Sequence, residues 1–368
     1  MTDLYTKEGY YQIAHDFEAY PDAVVYIVVG GRGTGKTYGT LKYMIENEEK
    51  FVFLKRTKDD IHMMCSGSGK IGTALPEGAL DYSPFKVLNN DMGWNIHPIE
   101  FYKGFGAFYN YETSEDGKEY QSGAALGYIA ALSLIGQVKG FEMADATYQI
   151  FDEFIPLRGQ IVKQTEGENA LDLYKTIDRS RTVDGAADLK AVFLANASVL
   201  NNQIFQALDL IDIAYEMKAF GITHKYIEDR YIFIRFLDDN QTFRNKEKNS
   251  KIYAAAGKNS KWTRSALEND FAYDDTSRIC RKSLNGYSGK YVVKYNNGQT
   301  FYMYRKGKNW YTSNTPHNVQ VIYNCDTDAG RLAFGYELYD LRQALAEDRL
   351  FCESFSHYAF IRDFKKGK

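Results

Sequence analysis

Long apolar runs are missing from the sequence, and none approaches the roughly 20 residues that a bilayer-spanning helix needs. The first residues, Met1 to Leu4, lack the basic-then-apolar order of a signal peptide. The four cysteines are far apart and form no CxxC pair, which disfavours zinc and favours reduced structural thiols. These absences predict a protein that works in a cytoplasm and does not contact a membrane.

A general excess of positive charge is also missing, since the 368 residues carry a net charge of −3. Any binding to a polyanion must therefore come from local patches. The chain is long enough for two domains, and its 44% hydrophobic and 25% charged residues are typical of globular proteins. Its 30 Tyr and 23 Phe suit interfaces and base stacking, although an aromatic-rich core is an equally simple interpretation.

A phosphate-binding loop is the strongest motif in the sequence. Residues 23–29 (AVVYIVV) form a continuous apolar run, which is typical of a central parallel strand, and residues 38–47 have a helical pattern. Between them lies G-x-x-x-x-G-K-[ST] in the strand–loop–helix context that the motif requires. The alternative, a glycine-rich turn that caps a helix, is the weaker interpretation. The loop consists of Gly30, Gly31, Arg32, Gly33, Thr34, Gly35, Lys36 and Thr37.

The residue types of this loop fit the chemistry of ATP. Glycines allow backbone N–H groups to point at phosphates beside a helix N-terminus, whose dipole favours negative charge. Lys36 would supply a positive charge to the β- and γ-phosphates. The hydroxyl of Thr37 would coordinate Mg²⁺. ATP and Mg²⁺ are therefore the predicted cofactors.

Two adjacent carboxylates follow a second apolar run, residues 148–151. Asp152 would lie at the carboxyl end of a strand, where parallel α/β sheets bind ligands, and would hold Mg²⁺ through water. Glu153 would polarise the attacking water as general base. The two carboxylates would repel each other unless a cation lay beside them. A "DE" pair after an apolar run often only marks a strand end, but the upstream loop favours the catalytic interpretation.

Another apolar strand, residues 189–195, ends at Asn196, which could sense the γ-phosphate or orient the attacking water. A helix predicted over residues 171–181 ends with Arg179 and Arg181, which suit an arginine finger that reaches a neighbouring subunit's site. The simpler alternatives are a turn residue at Asn196 and a solvated helix end at the arginines.

Two further loops of this half carry cations. A predicted strand over residues 51–54 leads into a basic cluster at residues 55–58, which could contact phosphates of nucleotide or DNA or could be solvated. Residues 101–133 contain a predicted hairpin with a DG turn. The loop after this hairpin contains Lys139.

The C-terminal part has a different character. Residues 289–295, 300–305, 309–312 and 319–323 predict strands, and residues 330–348 predict a long helix. From 276 to 325 there are eight cations and no acids, so the net charge of the interval is +8. Interleaved aromatic residues could stack on bases, or could face inward while the cations are solvated. The predicted nucleic-acid residues are Arg278, Arg281, Lys282, Lys290, Lys294, Arg305, Lys306 and Lys308.

Several of these motifs together resemble one family. They are GGRGTGKT with Arg32 inside it, the IFDEF box at residues 150–154, the pair Arg179 and Arg181, and Leu-Ala-Asn-Ala at residues 194–197. In this order and spacing the sequence resembles the genome-packaging (encapsidation) ATPases of small tailed bacteriophages with protein-primed, terminal-protein-linked DNA. The resemblance covers about the first 200 residues. Beyond them it is limited to length and general layout.

The resemblance implies an ASCE/RecA-like P-loop fold, a homo-oligomeric, pentameric ring on the viral portal, and double-stranded DNA as substrate. It also implies that Lys139 and Arg179 act across the subunit interface. The C-terminal module would be a degenerate ribonuclease H-like domain with structural RNA as a further partner. A nuclease would need a cluster of carboxylates, which the acid-free interval lacks, although Asp326, Asp328 and other acids outside it could supply one. No nuclease activity is predicted.

The predicted architecture is an α/β P-loop ATPase domain over residues 1–200, a linker over 201–275, and a smaller β-rich α+β domain over 276–368. The predicted function is ATP-driven DNA translocation into a procapsid, in the host cytoplasm, by subunits transiently docked on that procapsid. Two alternatives are a nucleoside or small-molecule kinase and a nucleotide-gated binding switch. A kinase would have no use for the basic module, and a switch would not need Glu153.

Overall fold

The structure is a computed structural model that describes residues 2–76, 82–134, 143–157, 159–160, 162–179, 187–237, 251–257, 260–261, 263–264, 271, 273–296 and 298–364. The chain forms two compact units. The first unit contains residues 1–198 and 221–272, and the second contains residues 199–220 and 273–368.

Fourteen strands and ten α-helices are present in the described part of the chain. The strands are β1 Val25–Gly30, β2 Phe51–Lys55, β3 Ile96–Tyr102, β4 Phe105–Thr113, β5 Glu119–Ala131, β6 Tyr148–Asp152, β7 Lys190–Asn196, β8 His224–Ile227, β9 Ile232–Phe236, β10 Ser288–Tyr295, β11 Gln299–Lys306, β12 Asn309–Ser313, β13 Ile322–Asn324 and β14 Leu350–Cys352. The helices are α1 Ile13–Ala19, α2 Lys36–Glu46, α3 Lys58–Cys65, α4 Lys86–Met92, α5 Glu166–Ile177, α6 Gln203–Ala207, α7 Ile211–Ala219, α8 Lys251–Ala256, α9 Asp328–Ala346 and α10 Phe355–Asp363.

The first unit is built on one mixed sheet of nine strands in the order β3-β4-β5-β2-β6-β7-β1-β9-β8. The six strands from β5 to β9 run parallel, while β3 and β4 at one side and β8 at the other run antiparallel to their neighbours. Strands β1, β2, β6 and β7 are almost wholly buried, as their apolar runs predicted. Strand β7 lies between β1 and β6, so the loops that follow these three strands meet at one edge of the sheet.

The predicted hairpin is confirmed and larger than expected. Strands β4 and β5 pair in antiparallel register and are joined through a turn in which the Ser114 N–H donates to the Lys118 carbonyl over 2.8 Å. Strand β3 adds a third antiparallel strand. The predicted helix over residues 171–181 instead begins at Glu166 and ends at Ile177, because the apolar stripe of α5 already starts at Gly167 and Ala170.

The second unit contains a mixed sheet of five strands in the order β13-β10-β11-β12-β14. The predicted strands β10, β11 and β12 form an antiparallel meander, while β13 and β14 are parallel to the strands they join. The predicted strand over residues 319–323 is reduced to β13. Helices α9 and α10 pack on the face that carries Tyr291, Tyr295 and Phe301.

The prediction of a linker over residues 201–275 is wrong. Residues 221–237 form β8 and β9 of the large sheet, whereas residues 199–220 belong to the second unit. The helical pattern of residues 201–217 is divided into α6 and α7 because the backbone at Asp209 has φ of +48°, which ends the first helix. The charge-rich segment that suggested a linker, residues 238–251, lies almost entirely outside the described residues.

In the described residues no helix is both long and apolar enough to span a membrane. All four cysteines (Cys65, Cys280, Cys325 and Cys352) are described, and none is in a disulfide.

Candidate nucleotide site and basic surface

The loop after β1 is built for close backbone packing. Strand β1 ends at Gly30, whose register partner on β7 is Asn196, and α2 begins at Lys36. Gly35 caps α2 with φ of +89°, and a side chain there would come within 3.0 Å of the Tyr10 Cβ atom. Both the positive φ and the close approach therefore require glycine at this position. Arg32 lies in the loop with an exposed side chain.

Lys36 is buried in the centre of this loop with 8% exposure. Its ammonium group donates to the carbonyls of Gly30 (3.3 Å) and Gly31 (2.6 Å), to the Thr34 hydroxyl (3.2 Å) and to the Asn196 side-chain oxygen (3.3 Å). Burial lowers the pKa of Lys36 to about 8, although two nearby carboxylates oppose the shift. A buried ammonium held only by neutral oxygens is under-compensated, so an anionic ligand at this position would stabilise its charge.

Asp152 at the end of β6 meets the first turn of α2. The Thr37 hydroxyl donates to one Asp152 oxygen over 2.9 Å, and the Lys55 ammonium donates to the other over 3.2 Å. A hydroxyl and a carboxylate are hard oxygen ligands of the kind that Mg²⁺ prefers, and Mg²⁺ usually takes only one or two carboxylates besides phosphate oxygens and water. The donor set therefore fits Mg²⁺. Within the described ranges no three His, Cys, Asp or Glu side chains form a larger metal cluster.

Glu153 follows Asp152 in a left-handed backbone conformation with φ of +59°. Such a conformation is costly for a residue with a side chain and is concentrated at functional sites. The Glu153 side chain is 63% exposed, and its carboxylate lies 3.7 Å from the Lys55 ammonium. Lys55 is thus the cation required beside the two carboxylates. Burial would lower the pKa of Lys55, but Asp152 and Glu153 outweigh burial and raise it.

Arg56 holds the turn that carries Glu153, a role that the sequence did not indicate. Its guanidinium donates to the Glu153 carbonyl (3.2 Å) and the Phe154 carbonyl (3.0 Å). It also forms two hydrogen bonds with the buried Glu166 carboxylate at the start of α5, over 2.6 and 3.0 Å. Burial raises the pKa of Glu166, and Arg56 opposes that shift. The only sequence signal for this contact was the basic cluster at the end of β2.

Of the cations expected at a subunit interface, the structure describes Arg179 and does not place it in this cluster. Arg179 is exposed just beyond the end of α5. Lys139 and Arg181 lie outside the described residues. The structure thus brings Lys36, Thr37, Asp152, Glu153 and Asn196 together at one edge of the sheet, and it does not bring Arg179 to them.

The basic interval in the second unit separates its cations from its aromatic residues. Six of the eight cations are exposed, namely Arg281, Lys290, Lys294, Arg305, Lys306 and Lys308. Arg278 and Lys282 are half-buried over the Phe351 ring, and Arg278 pairs with Asp348. The expectation that the interleaved aromatic residues form a stacking surface is wrong for most of them, because they lie in the core of the second unit. Those with at most 6% exposure are Tyr291, Tyr295, Tyr304, Trp310 and Tyr311.

Comparison with solved structures relates this fold to known proteins. A chain described as the phi-28 gp11 DNA packaging motor matches with a TM-score of 0.59 at 18% identity, covering 98% of this chain and 100% of that chain. The N-terminal domain of the DNA packaging ATPase from bacteriophage phi29 matches 64% of this chain and 98% of that chain at 20% identity, with a TM-score of 0.45. No protein-family model and no curated protein sequence matches the chain. The first match shows that the chain shares the α/β fold of that motor protein over nearly its whole length.

Proposed function

We propose that this protein is a P-loop ATPase that drives double-stranded DNA into a viral procapsid, and that it belongs to the packaging ATPases which its motifs resemble. The convergence of Lys36, Thr37, Asp152, Glu153 and Asn196 at one sheet edge carries the proposal. The position of β7 between β1 and β6 supports an ASCE/RecA-like arrangement, because it places Asn196 between the phosphate loop and the carboxylates.

The residues of the site would divide the work of hydrolysis. Loop residues 30–35 and the Lys36 ammonium would bind the phosphates, and Thr37 with Asp152 would hold the metal ion. Bound Mg²⁺ would neutralise charge on the β- and γ-phosphate oxygens. Glu153, exposed and close to Lys55, would accept the proton of the attacking water. Asn196, which already contacts Lys36, would orient that water or sense the γ-phosphate.

Coupling to DNA is proposed to occur in a pentameric ring docked on the portal in the host cytoplasm. Arg179 is exposed beyond α5, as a residue that acts across a subunit interface must be. Lys139 is proposed for the same role from the family resemblance alone. The second unit is proposed to be a degenerate ribonuclease H-like module, and its six exposed cations are available to DNA or to a structural RNA.

Steady-state ATP hydrolysis by the full chain tests the proposal, measured with and without double-stranded DNA at low and moderate salt. A motor should be stimulated by DNA, and the stimulation should weaken as salt screens the attraction to phosphates. Turnover that required a small acceptor instead would favour a kinase. Binding of ATP with negligible hydrolysis under every condition would favour a nucleotide-gated switch. Either of the last two results would overturn the motor proposal.

A further inference from the structure

The N-terminal residues 5–12 pack directly on the phosphate loop. The Tyr11 N–H donates to the Thr34 carbonyl over 2.9 Å, and Tyr5 forms a β-bridge with Tyr11. A side chain at Gly39 in the first turns of α2 would come within 2.6 Å of the Tyr11 carbonyl oxygen. The backbone of this segment therefore forms a wall against both the loop and the start of α2.

The direction of a bound nucleotide follows from the strand order. Asn196 on β7 and Asp152 on β6 lie to one side of β1, and these groups would face the γ-phosphate and the metal. Strand β9 lies on the other side of β1. A nucleotide whose γ-phosphate points towards β7 and β6 must extend its sugar and base away from them. The base end is therefore expected on the β9 side of the loop.

A buried ion pair fixes residues 5–12 on the β9 side of the loop. Arg235 on β9 is opposite Val28 of β1, and its Nε atom lies 2.7 and 2.9 Å from the two carboxylate oxygens of Asp16 on α1. The Tyr11 hydroxyl donates to the same carboxylate over 2.6 Å. Arg235, Asp16 and Tyr11 have exposures of 3%, 0% and 1%. Removing either charge would leave the other buried and uncompensated, so the segment is held firmly in place.

Tyr10 is the aromatic residue that this wall presents beside the loop. Its Cβ atom lies 3.0 Å from the position of a Cβ at Gly35, and the residue keeps 38% of its surface exposed. Tyr11, by contrast, is committed to the core. We propose that the Tyr10 ring is the platform on which the base of the bound nucleotide stacks. This inference rests on the proposed nucleotide site, and it assigns the base end of that site.

Stacking on a ring tolerates any base, because every base has a π-face. The inference therefore predicts that Tyr10 contributes to the binding of nucleoside triphosphates in general and does not contribute to the binding of phosphates alone. A loss of the ring should weaken ATP binding roughly tenfold, which is within the range of base–aromatic stacking.

Isothermal titration of the full chain with ATP and, separately, with inorganic tripolyphosphate tests this inference. Tyr10→Ala should raise the Kd for ATP roughly tenfold and leave the Kd for tripolyphosphate unchanged, whereas Tyr10→Phe should bind both ligands like the wild type. Tyr231→Asn is a matched control, since Tyr231 is an exposed tyrosine beside the start of β1, at the opposite edge of the sheet. Asparagine tolerates the φ of +53° at this position.

Two results would overturn the inference. Equal weakening of ATP and tripolyphosphate by Tyr10→Ala would mean that Tyr10 only supports the loop, and unchanged binding of both would mean that the base lies elsewhere. In both cases ATP binding by the wild type, together with its loss in Lys36→Ala, would still support the proposed function. If the wild type bound neither ligand, the proposed function and this inference would both be wrong.

Discussion

The two units use charged residues in opposite ways. In the first unit, Lys36, Lys55 and Arg56 are largely removed from solvent, and each is held by several oxygen atoms at one edge of the sheet. In the second unit, the cations of β10 and β11 point to solvent while the aromatic residues of the same strands form the core. Burying a charge is costly unless it is paired, so the buried cations of the first unit indicate a site with a specific function. The exposed cations of the second unit only make its surface positive.

This difference separates two kinds of evidence for function. A convergent, buried set of charges predicts chemistry at particular atoms, and single substitutions should have large effects. A dispersed set of exposed cations predicts a graded attraction to polyanions, to which each residue contributes a little. Four experiments test whether the two units differ in this way.

Removal of the proposed catalytic base, Glu153, should have the largest effect. Glu153→Gln keeps the size of the side chain but cannot accept a proton, so ATP turnover should fall by roughly 10²- to 10⁴-fold while ATP binding persists. Steady-state hydrolysis and equilibrium binding measure the two properties. Glu115→Gln, at the exposed turn between β4 and β5, is a control that should retain full activity. Substantial turnover by Glu153→Gln would show that another group activates water.

Removal of Arg56 should destabilise the first unit. Arg56→Ala leaves the Glu166 carboxylate, which has 5% side-chain exposure, without its partner, and we expect a loss of about 3–5 kcal/mol in the free energy of unfolding. Urea denaturation measures the change. Arg305→Ala, which removes an exposed guanidinium stacked on Trp310, should cost about 1 kcal/mol or less. Similar losses for the two variants would contradict the contrast between the units.

Neutralising exposed cations in the second unit should weaken polyanion binding gradually. The triple change of Lys290, Lys294 and Lys308 to Gln should reduce the slope of log K against log salt for double-stranded DNA by about 0.9 for each DNA phosphate that is no longer neutralised. The matched control removes three exposed lysines of the first unit, Lys7, Lys118 and Lys175. An equal effect in the two triple variants would mean that only overall charge matters.

The smallest effect concerns pH. Because burial lowers the pKa of Lys36 to about 8, the free site loses this charge as the pH rises above 8. Bound phosphate favours the charged form, so ATP affinity should fall with rising pH and binding should be accompanied by proton uptake. Calorimetry in buffers with different ionisation enthalpies measures that uptake. Lys36→Arg, which stays charged, should remove the pH dependence of ATP affinity. If that dependence persisted in this variant, Lys36 would be excluded as its source.

Much of the first unit could be predicted from the chain alone. The apolar runs of β1, β2, β6 and β7 identified buried parallel strands, and the phosphate loop with the Asp152–Glu153 pair identified the edge where they end. These signals are local: strand period, glycine spacing and a strand-terminal carboxylate are all read within about ten residues.

Contacts between distant segments could not be predicted in the same way. Arg235 and Asp16 are 219 residues apart, and Arg56 and Glu166 are 110 apart, so no local pattern relates them. Strands β8 and β9 were assigned to a linker for the same reason. The sheet to which two such short strands belong can be recognised only when the strand order is known. The orientation of the aromatic residues in β10 to β12 depended likewise on which face α9 and α10 cover.

Neighbouring residues in the chain are enough to indicate most of the element types, the glycine-rich loop after β1, the carboxylate pair and the acid-free basic interval. Folding was needed to establish that β7 separates β1 from β6, that Lys55 lies beside the two carboxylates, and that residues 5–12 form a wall on the β9 side of the loop. Those features arise from burial of charge and close packing between segments far apart in the chain, and such pairings exist only once the chain has folded.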